Sequence, residues 1–353
     1  MACGILRAIP SAIVRKCPMA DGGEGTLDAL LSTRGTRYII EVRDAGGNQR
    51  NAFIGELDGS GIIEVAEIVG ITDSIGMSAP VSVRTTLGVG DTILALLERG
   101  CRKITLALGG SSTNDAGAGM LVALGMRLLD REGKDVAPSP DQLDRVAAVD
   151  MSGLDERLNQ CEFVGMSDVQ NPLLGSTGAT FVFGPQKGVS PLQLERFDRN
   201  IAHFSKLLEE AVSCRAAMLP GSGAAGGLGF AIRMLGGELC SGAGMVSDLL
   251  GLDALLVDAA WALTGEGRSD RQTMQGKAPI VVAERARRLG VPTTLLSGAV
   301  DVEALAAEEQ LFSGCFSLVP GPMSMEQAIQ DAESLLANKA EQLARLWDLR
   351  HKC

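Results

Sequence analysis

Residues 103–120 read KITLALGGSSTNDAGAGM, and the fold turns on how they are read. Lys103–Leu108 is a short apolar run bounded by breakers, which predicts a buried strand. From Ala116 onward the apolar spacing predicts a helix. The corner between them carries small and polar side chains, a single acid, Asp115, and no bulk. A bare corner that opens a helix presents backbone N–H groups to an anion. A carboxylate beside such an anion suits a bridging divalent cation. An ordinary helix cap by Asn114 or Asp115 is the plainer alternative.

Working outward, the same arrangement recurs. Strands are expected at Arg37–Arg43, Ala52–Leu57, Gly61–Ala66, Lys103–Leu108, Glu162–Met166, Ala179–Phe183, Trp261–Thr264, Thr293–Ser297 and Cys315–Val319. Helices are expected at Thr26–Ser32, Gly88–Arg99, Ala116–Leu129, Pro191–Cys214, Ala225–Leu235, Val246–Leu256, Lys277–Leu289 and Met325–Leu349. The first three strands suggest an antiparallel meander, and the last third alternates strand and helix as parallel sheets do. Five strands end in unusual loops: GGSSTND, SDVQNP, TGEGRSD, SGAVD and PGPM. Ligands of open α/β sheets bind outside the carboxyl ends of the strands, so one crevice at that edge is the economical reading. A cap needs one polar residue, whereas GGSSTND and TGEGRSD carry several.

The chain has 353 residues, enough for two domains, and 46% of them are hydrophobic. No apolar run reaches the length of a membrane span, and no basic region precedes the apolar N-terminus as a signal peptide requires. A net charge of −11 and only 3% aromatic residues argue against nucleic acid and anionic membrane as partners. Eight cysteines without CxxC spacing fit reduced thiols and a cytoplasmic location. The two histidines, His203 in a helix and His351 near the C-terminus, make a Ser-His-Asp site or a His-bound metal a poor expectation. Any general base is then a carboxylate or a lysine. Phosphoryl transfer fits that inventory, since it asks mainly for positioning and charge neutralisation. QGKAP at Gln275–Pro279 is not a Walker A motif. GSGAAGGLG at Gly221–Gly229 contains a G-x-G-x-x-G, but no convincing strand precedes it. It reads as a glycine loop facing phosphate, with a nicotinamide oxidoreductase as the weaker alternative.

PMADGGEGT (Pro18–Thr26), GGSSTNDAGAGM (Gly109–Met120), SDVQNPLLG (Ser167–Gly175), FGPQKG (Phe183–Gly188), PGSGAAGGLG (Pro220–Gly229) and LTGEGRSDRQTMQGKAP (Leu263–Pro279) occur in that order. As a set they resemble the type I glycerate kinases of bacteria, from about residue 2 to the C-terminal helix. The resemblance implies phosphorylation of D-glycerate with ATP and Mg2+, typically to 2-phosphoglycerate, with 3-phosphoglycerate as the other product. It implies a two-domain α/β fold with the active site in the interdomain cleft. A Rossmann-like parallel-sheet domain is expected from residues 1–35 and 245–353, and an inserted mixed α/β domain from 36–244. Asp21, Asp115, Asp168, Glu266 and Arg268 fall on motif positions of the family.

Asp168 is the first choice for the base, with Arg268 and Lys187 beside it as catalytic candidates. Asp115, Glu266 and Asp270 are the candidate metal ligands. The candidate substrate- and nucleotide-binding set is Asp21, Gly22, Gly23, Glu24, Gly109, Gly110, Ser111, Thr113, Asn114, Asn171, Gly221, Gly223, Gly226, Gly265 and Lys277. D-glycerate and ATP are the expected partners, and a homodimer is entertained. Against the family pattern the chain starts inside the first helix, at ACGILRAI, without the short strand and its Asp-Ser-x-Lys loop. That predicts either a misassigned start or a truncated relative that binds ligand without turnover. Smaller departures are EVAEIVG at Glu64–Gly70, and Asp115–Ala116 where the family has Asp-Gly.

Overall fold

The computed structural model describes residues 1–32, 34–271, 273–301, 303 and 311–350. The chain forms two compact units, Ala20–Val246 and Met1–Met19 with Ser247–Cys353.

The larger unit is built on a six-stranded sheet. Its strands are β1 (Thr36–Arg43), β2 (Gln49–Leu57), β3 (Ser60–Glu64), β4 (Lys103–Ala107), β7 (Glu162–Met166) and β8 (Glu238–Cys240), in the order β1-β2-β3-β4-β7-β8. A separate antiparallel pair, β5 (Arg127–Leu129) and β6 (Ala148–Asp150), lies in the crossover from β4 to β7. The first three strands form the expected meander, and the four from β3 to β8 run parallel. Asp58 and Gly59 both take positive φ, 51° and 79°, which is the two-residue hairpin turn that joins β2 to β3. β4 and β7 are buried after their first residues, as strands of a parallel sheet covered on both faces must be. Ile54, Ile63, Ile68, Ile93, Leu96, Ile104 and Phe163 belong to this core.

In the smaller unit β9 (Ala262–Thr264), β11 (Thr293–Ser297) and β13 (Gly314–Ser317) form a parallel sheet of order β13-β11-β9. β10 (Arg268–Ser269) and β12 (Ala299–Val300) form a short parallel pair beside it. The helix Ala2–Ala8 packs on the helix Ala332–Arg350, where Gly4 lets the backbones meet. Trp261 and Trp347 stack with ring centroids 5.0 Å apart. No described helix is long and apolar enough to cross a membrane.

Some expectations need correction. Ala179–Phe183 is a helix, not a strand. A run of five residues, four of them apolar, cannot distinguish the two by periodicity, and Gly178 and Gly184 bound a single turn or so against the helix Pro191–Val212. The expected helix Ala116–Leu129 spans only Ala118–Ala123. Gly125, at φ 110°, reverses the chain into β5. Val246–Leu256 is two helices, Gly242–Leu249 and Leu252–Leu256, parted by a left-handed Gly251. Met325–Leu349 is likewise parted at Asp331.

Two glycines decide how closely the helices Leu87–Glu98 and Ala118–Ala123 approach. A Cβ at Gly119 would lie 2.6 Å from the backbone nitrogens of Thr86 and Leu87, and one at Gly90 would lie 2.6 Å from the carbonyl oxygen of Met120. Gly119→Ala is therefore expected to destabilise the fold by about 1–3 kcal/mol through overpacking, although alanine is about 1 kcal/mol the better helix former. Urea unfolding measures the sign, and a raised midpoint would show that the crossing relaxes.

Candidate active site

In the larger unit the loop Asp21–Gly25 lies over the carboxyl ends of β4 and β7. Gly22 O accepts from Gly109 N at 2.8 Å. A Cβ at Gly109 would lie 2.6 Å from Gly23 Cα, and one at Gly242 would overlap the carbonyl group of Asp21. Glycine is needed here for close approach of backbone to backbone. The loop is also tied down by Glu64, the buried last residue of β3. Its Oε1 accepts from Gly25 N and its Oε2 from Leu27 N, each at 2.9 Å. The helix Thr26–Leu31 starts from left-handed Gly25 with no side-chain cap of its own, so Glu64 supplies one from another strand. Burial pushes the Glu64 carboxyl up, while the two N–H donors pull it back. Glu64 was not among the candidate site residues; an acid closing the apolar strand SGIIE was the available signal. Exposed Glu24 accepts from Thr72 Oγ1 at 2.9 Å.

Asp168 follows β7. Its Oδ1 accepts from Gly242 N at 3.0 Å, at the start of the helix Gly242–Leu249, and Ser241 donates to the same carboxylate. Its Oδ2 is buried and has no hydrogen-bond partner. Burial raises its pKa above the ordinary carboxylate value, and the charge of Asp21 adds to the rise against the pull of the donors.

Beneath the GGSSTND corner the expectations change. Asp115 is 0% exposed. Its Oδ2 accepts from Thr86 N at 2.7 Å, Thr86 Oγ1 at 2.8 Å and Gly119 N at 3.1 Å, and its Oδ1 from Gly117 N at 3.1 Å. Four donors satisfy the carboxylate, so it joins two helix starts and is not placed to ligate a metal. Burial pushes its pKa up in spite of those donors. Ala116, where the family has glycine, is in the left-handed region at φ 55°. Lys187 is buried below the same corner and donates from Nζ to Thr113 O at 2.7 Å and Ser111 Oγ at 3.1 Å. It holds the corner's shape rather than reaching substrate. Arg84 donates to Ser112 O and Lys187 O from the same layer. Asn114 Nδ2 donates to Thr180 Oγ1 at 3.0 Å, while Asn114 Oδ1 and Thr113 Oγ1 are buried without partners. Gly109 and Gly110 are the accessible part of the corner.

Gly221, Gly223 and Gly226 are buried, Gly221 against the Leu239 side chain and the other two against backbone, instead of facing a ligand. A Cβ at Gly226 would overlap Thr113 O, and one at Gly223 would overlap Pro172 O. Gly226 O accepts from Ala116 N at 2.9 Å, and Asn171 O accepts from Gly223 N at 2.9 Å. The Asn171 side chain donates to Thr177 O at 2.8 Å. The helix Pro191–Val212 and turns precede this run, with no strand feeding it, so the nicotinamide fingerprint fails its structural test.

The smaller unit gathers its candidates where β9 and β11 end. Glu266 Oε1 accepts from Thr273 Oγ1 at 2.6 Å and Ser269 Oγ at 2.9 Å, and Oε2 pairs with Lys277 Nζ at 3.7 Å. Ser269 Oγ meets Ser297 Oγ at 2.7 Å. Arg268, its side chain 72% exposed, pairs with Asp270 at 3.3 Å. A Cβ at Gly265 would overlap Leu296 O, so this glycine serves close strand packing. Among the described residues no three His, Cys, Asp or Glu side chains converge as a metal site.

Burial holds the Lys187 ammonium down to about 7 from an ordinary 10.5. Between these values the unfolded chain keeps the proton and the folded chain releases it. Stability therefore rises with pH across that window, and below it the full penalty of the buried charge applies. From pH 7 to 8.5 the unfolding free energy of the wild type, minus that of Lys187→Met, should grow by up to about 2 kcal/mol. Urea titrations at the two pH values measure it, and an unchanged difference would mean that Lys187 holds one protonation state throughout.

Comparison with known proteins agrees with these motifs. The profile of the glycerate kinase family matches residues 1–348. The glycerate kinase of Halalkalibacterium halodurans is 38% identical over 346 residues, covering 97% of this chain and 91% of that protein. The glycerate 2-kinase of Escherichia coli is 34% identical over 346 residues, with 97% and 91% covered. The crystal structure of a protein assigned as glycerate kinase 2 from Salmonella typhimurium LT2 matches with a TM-score of 0.86 at 37% identity, covering 100% of this chain and 93% of that one. The chain belongs to the glycerate kinase family.

Proposed function

We infer that the protein transfers the γ-phosphoryl group of ATP to a hydroxyl of D-glycerate, giving 2-phosphoglycerate. Family membership supports the reaction class, and the carboxylate of Asp168 carries the assignment of the base. One of its oxygens is fixed by Gly242 N, and the other is buried without a partner. A substrate hydroxyl would satisfy that orphan oxygen. As the hydroxyl oxygen attacks the γ-phosphorus, its proton passes to Asp168, the bond from the γ-phosphorus to the bridging oxygen breaks, and ADP leaves. The raised pKa makes Asp168 a stronger base than an ordinary aspartate.

With Gly25 N given to Glu64 and Gly109 N to Gly22 O, the backbone N–H groups of Gly23, Glu24 and Gly110 are the candidate donors for phosphoryl oxygens at this edge. Within the smaller unit, Arg268 and Lys277 are the candidate cations, paired with Asp270 and Glu266. Mg2+ needs only one or two protein carboxylates when it arrives on a polyphosphate. Asp21, whose charge already acts on Asp168, fits that part, since two neighbouring carboxylates are the environment a cation relieves. Asp115 does not fit it. When bound, the ion neutralises phosphate charge.

A coupled ADP-release assay with D-glycerate tests the reaction, and nucleotide binding without glycerate-dependent ADP release would overturn it. Asp168→Asn keeps the acceptor for Gly242 N and removes the base. It should lower kcat by about 10²–10⁴ and leave KM for ATP within a few-fold. The wild-type kcat should fall with acidity through a pKa above the ordinary carboxylate value, and an unchanged kcat in the variant would take the role of base from Asp168.

A further inference from the structure

β1 is the first strand of the six-stranded sheet and has a neighbour on one side only, β2. Bonded and non-bonded pairs alternate along an antiparallel ladder. Asp44 N donates to Asn48 O at 2.8 Å, one step beyond this ladder. The even-numbered residues of β1 therefore bond to β2, and the odd-numbered ones turn their N–H and C=O groups to the open edge. At one end the chain closes this edge itself: Arg43 N donates to Asp91 Oδ2 at 3.2 Å, and Ala45 O accepts from Thr85 N at 2.9 Å. Among the described residues nothing closes it at Arg37, Ile39 or Glu41. Edge strands are usually blunted by charged side chains, lysine above all, by proline or by a bulge. TRYIIEVR has neither lysine nor proline, its outward charges Arg37 and Glu41 are of opposite sign, and its register with β2 is unbroken over its length.

The side chains of Arg37, Ile39 and Glu41 share one face, away from Tyr38 and Ile40, which pack against the core. Ile39 is 63% exposed. We propose that this edge pairs with a second copy of the chain, β1 against β1, antiparallel about a twofold axis at Ile39. Facing residues of an antiparallel pair must share a face, which leaves two central registers. Centring on Ile40 sets Arg37 against Arg43 and Ile39 against Glu41. Centring on Ile39 sets Ile39 against itself and Arg37 against Glu41 twice, so an apolar contact is flanked by two opposite-charge pairs. These same residues carry the outward backbone groups, so each of the three facing pairs exchanges two N–H···O bonds. Arg37 is already ion-paired with Asp28 and lies over the Phe53 ring at 4.8 Å. Its side chain is thereby held on the proposed face, and a guanidinium with five N–H donors can serve Asp28 and Glu41 of the second copy together.

Sedimentation equilibrium of the full chain across the micromolar range tests the pairing. The expected mass is twice the 36.8 kDa of one chain. Ile39→Lys should give the single-chain mass. Glu41→Arg, at an exposed position, should raise the dimer Kd by at least about tenfold, since two like-charge pairs then face each other. Adding Arg37→Glu should restore most of the affinity, and circular dichroism confirms that each variant is folded. A wild type of single-chain mass throughout would overturn the proposal. So would a dimer indifferent to Glu41→Arg, or a charge swap that fails to restore it.

Discussion

Asp115 has no exposure to water, yet its carboxylate meets four donors. An unpaired buried carboxylate would be too unfavourable to persist. Here the donors come from the starts of two helices, Thr86 before Leu87–Glu98 and Gly117 and Gly119 around the start of Ala118–Ala123. Neither helix has a side-chain cap bond from its own N-cap residue. One carboxylate thus serves both, and each helix places the positive end of its dipole against it. Thr86 Oγ1 also accepts from Met120 N at 2.9 Å, so donor and acceptor roles are closed within the node. The corner after β4 can only follow the path that this node permits.

Above the node the surface is bare backbone. Lys187 and Arg84 hold carbonyl oxygens of the corner from below, which leaves Gly109 and Gly110 on the accessible side. Glu64 does the equivalent for the Asp21–Gly25 loop. In the proposed reaction, backbone N–H groups held this way, as at Gly110, would need no rearrangement when charge develops on a phosphoryl group, the condition under which such groups contribute most.

Much of this was legible in the chain because breakers and apolar runs are local signals. The corner at Gly109–Asp115, the meander of β1 to β3 and the alternation after β9 all announce themselves over a few residues. What was not legible depends on partners distant in sequence. Asp115 and Asp168 look alike as letters, each a lone acid after a strand. Only the donor from Thr86, 29 positions away, makes one of them structural. The glycines of GSGAAGGLG are a similar case. Close approach to Thr113 and Pro172 asks for the same residue as close approach to phosphate would. Ala179–Phe183 failed for a different reason, since a five-residue run with four apolar residues between glycines fits either secondary structure and only the neighbouring Pro191–Val212 helix decides.

How the donors fall on the two oxygens sorts the acids at this sheet edge. Asp115 has four, and its lone pairs are taken up by the fold. Glu64 has two, one to each oxygen, both from a single helix start. Asp168 has donors in Gly242 N, Ser241 and Ala243, yet its Oδ2 is buried with nothing to accept from. Leaving a polar atom in that condition costs about 1–3 kcal/mol, and a structural role would have been served as well by an asparagine or serine able to reach Gly242 N. On the reading proposed above, that oxygen would take its donor from the substrate. In the proposed reaction a hydroxyl would supply that donor and also the proton to be removed, so the defect in the fold and the requirement of the chemistry would fall on the same atom.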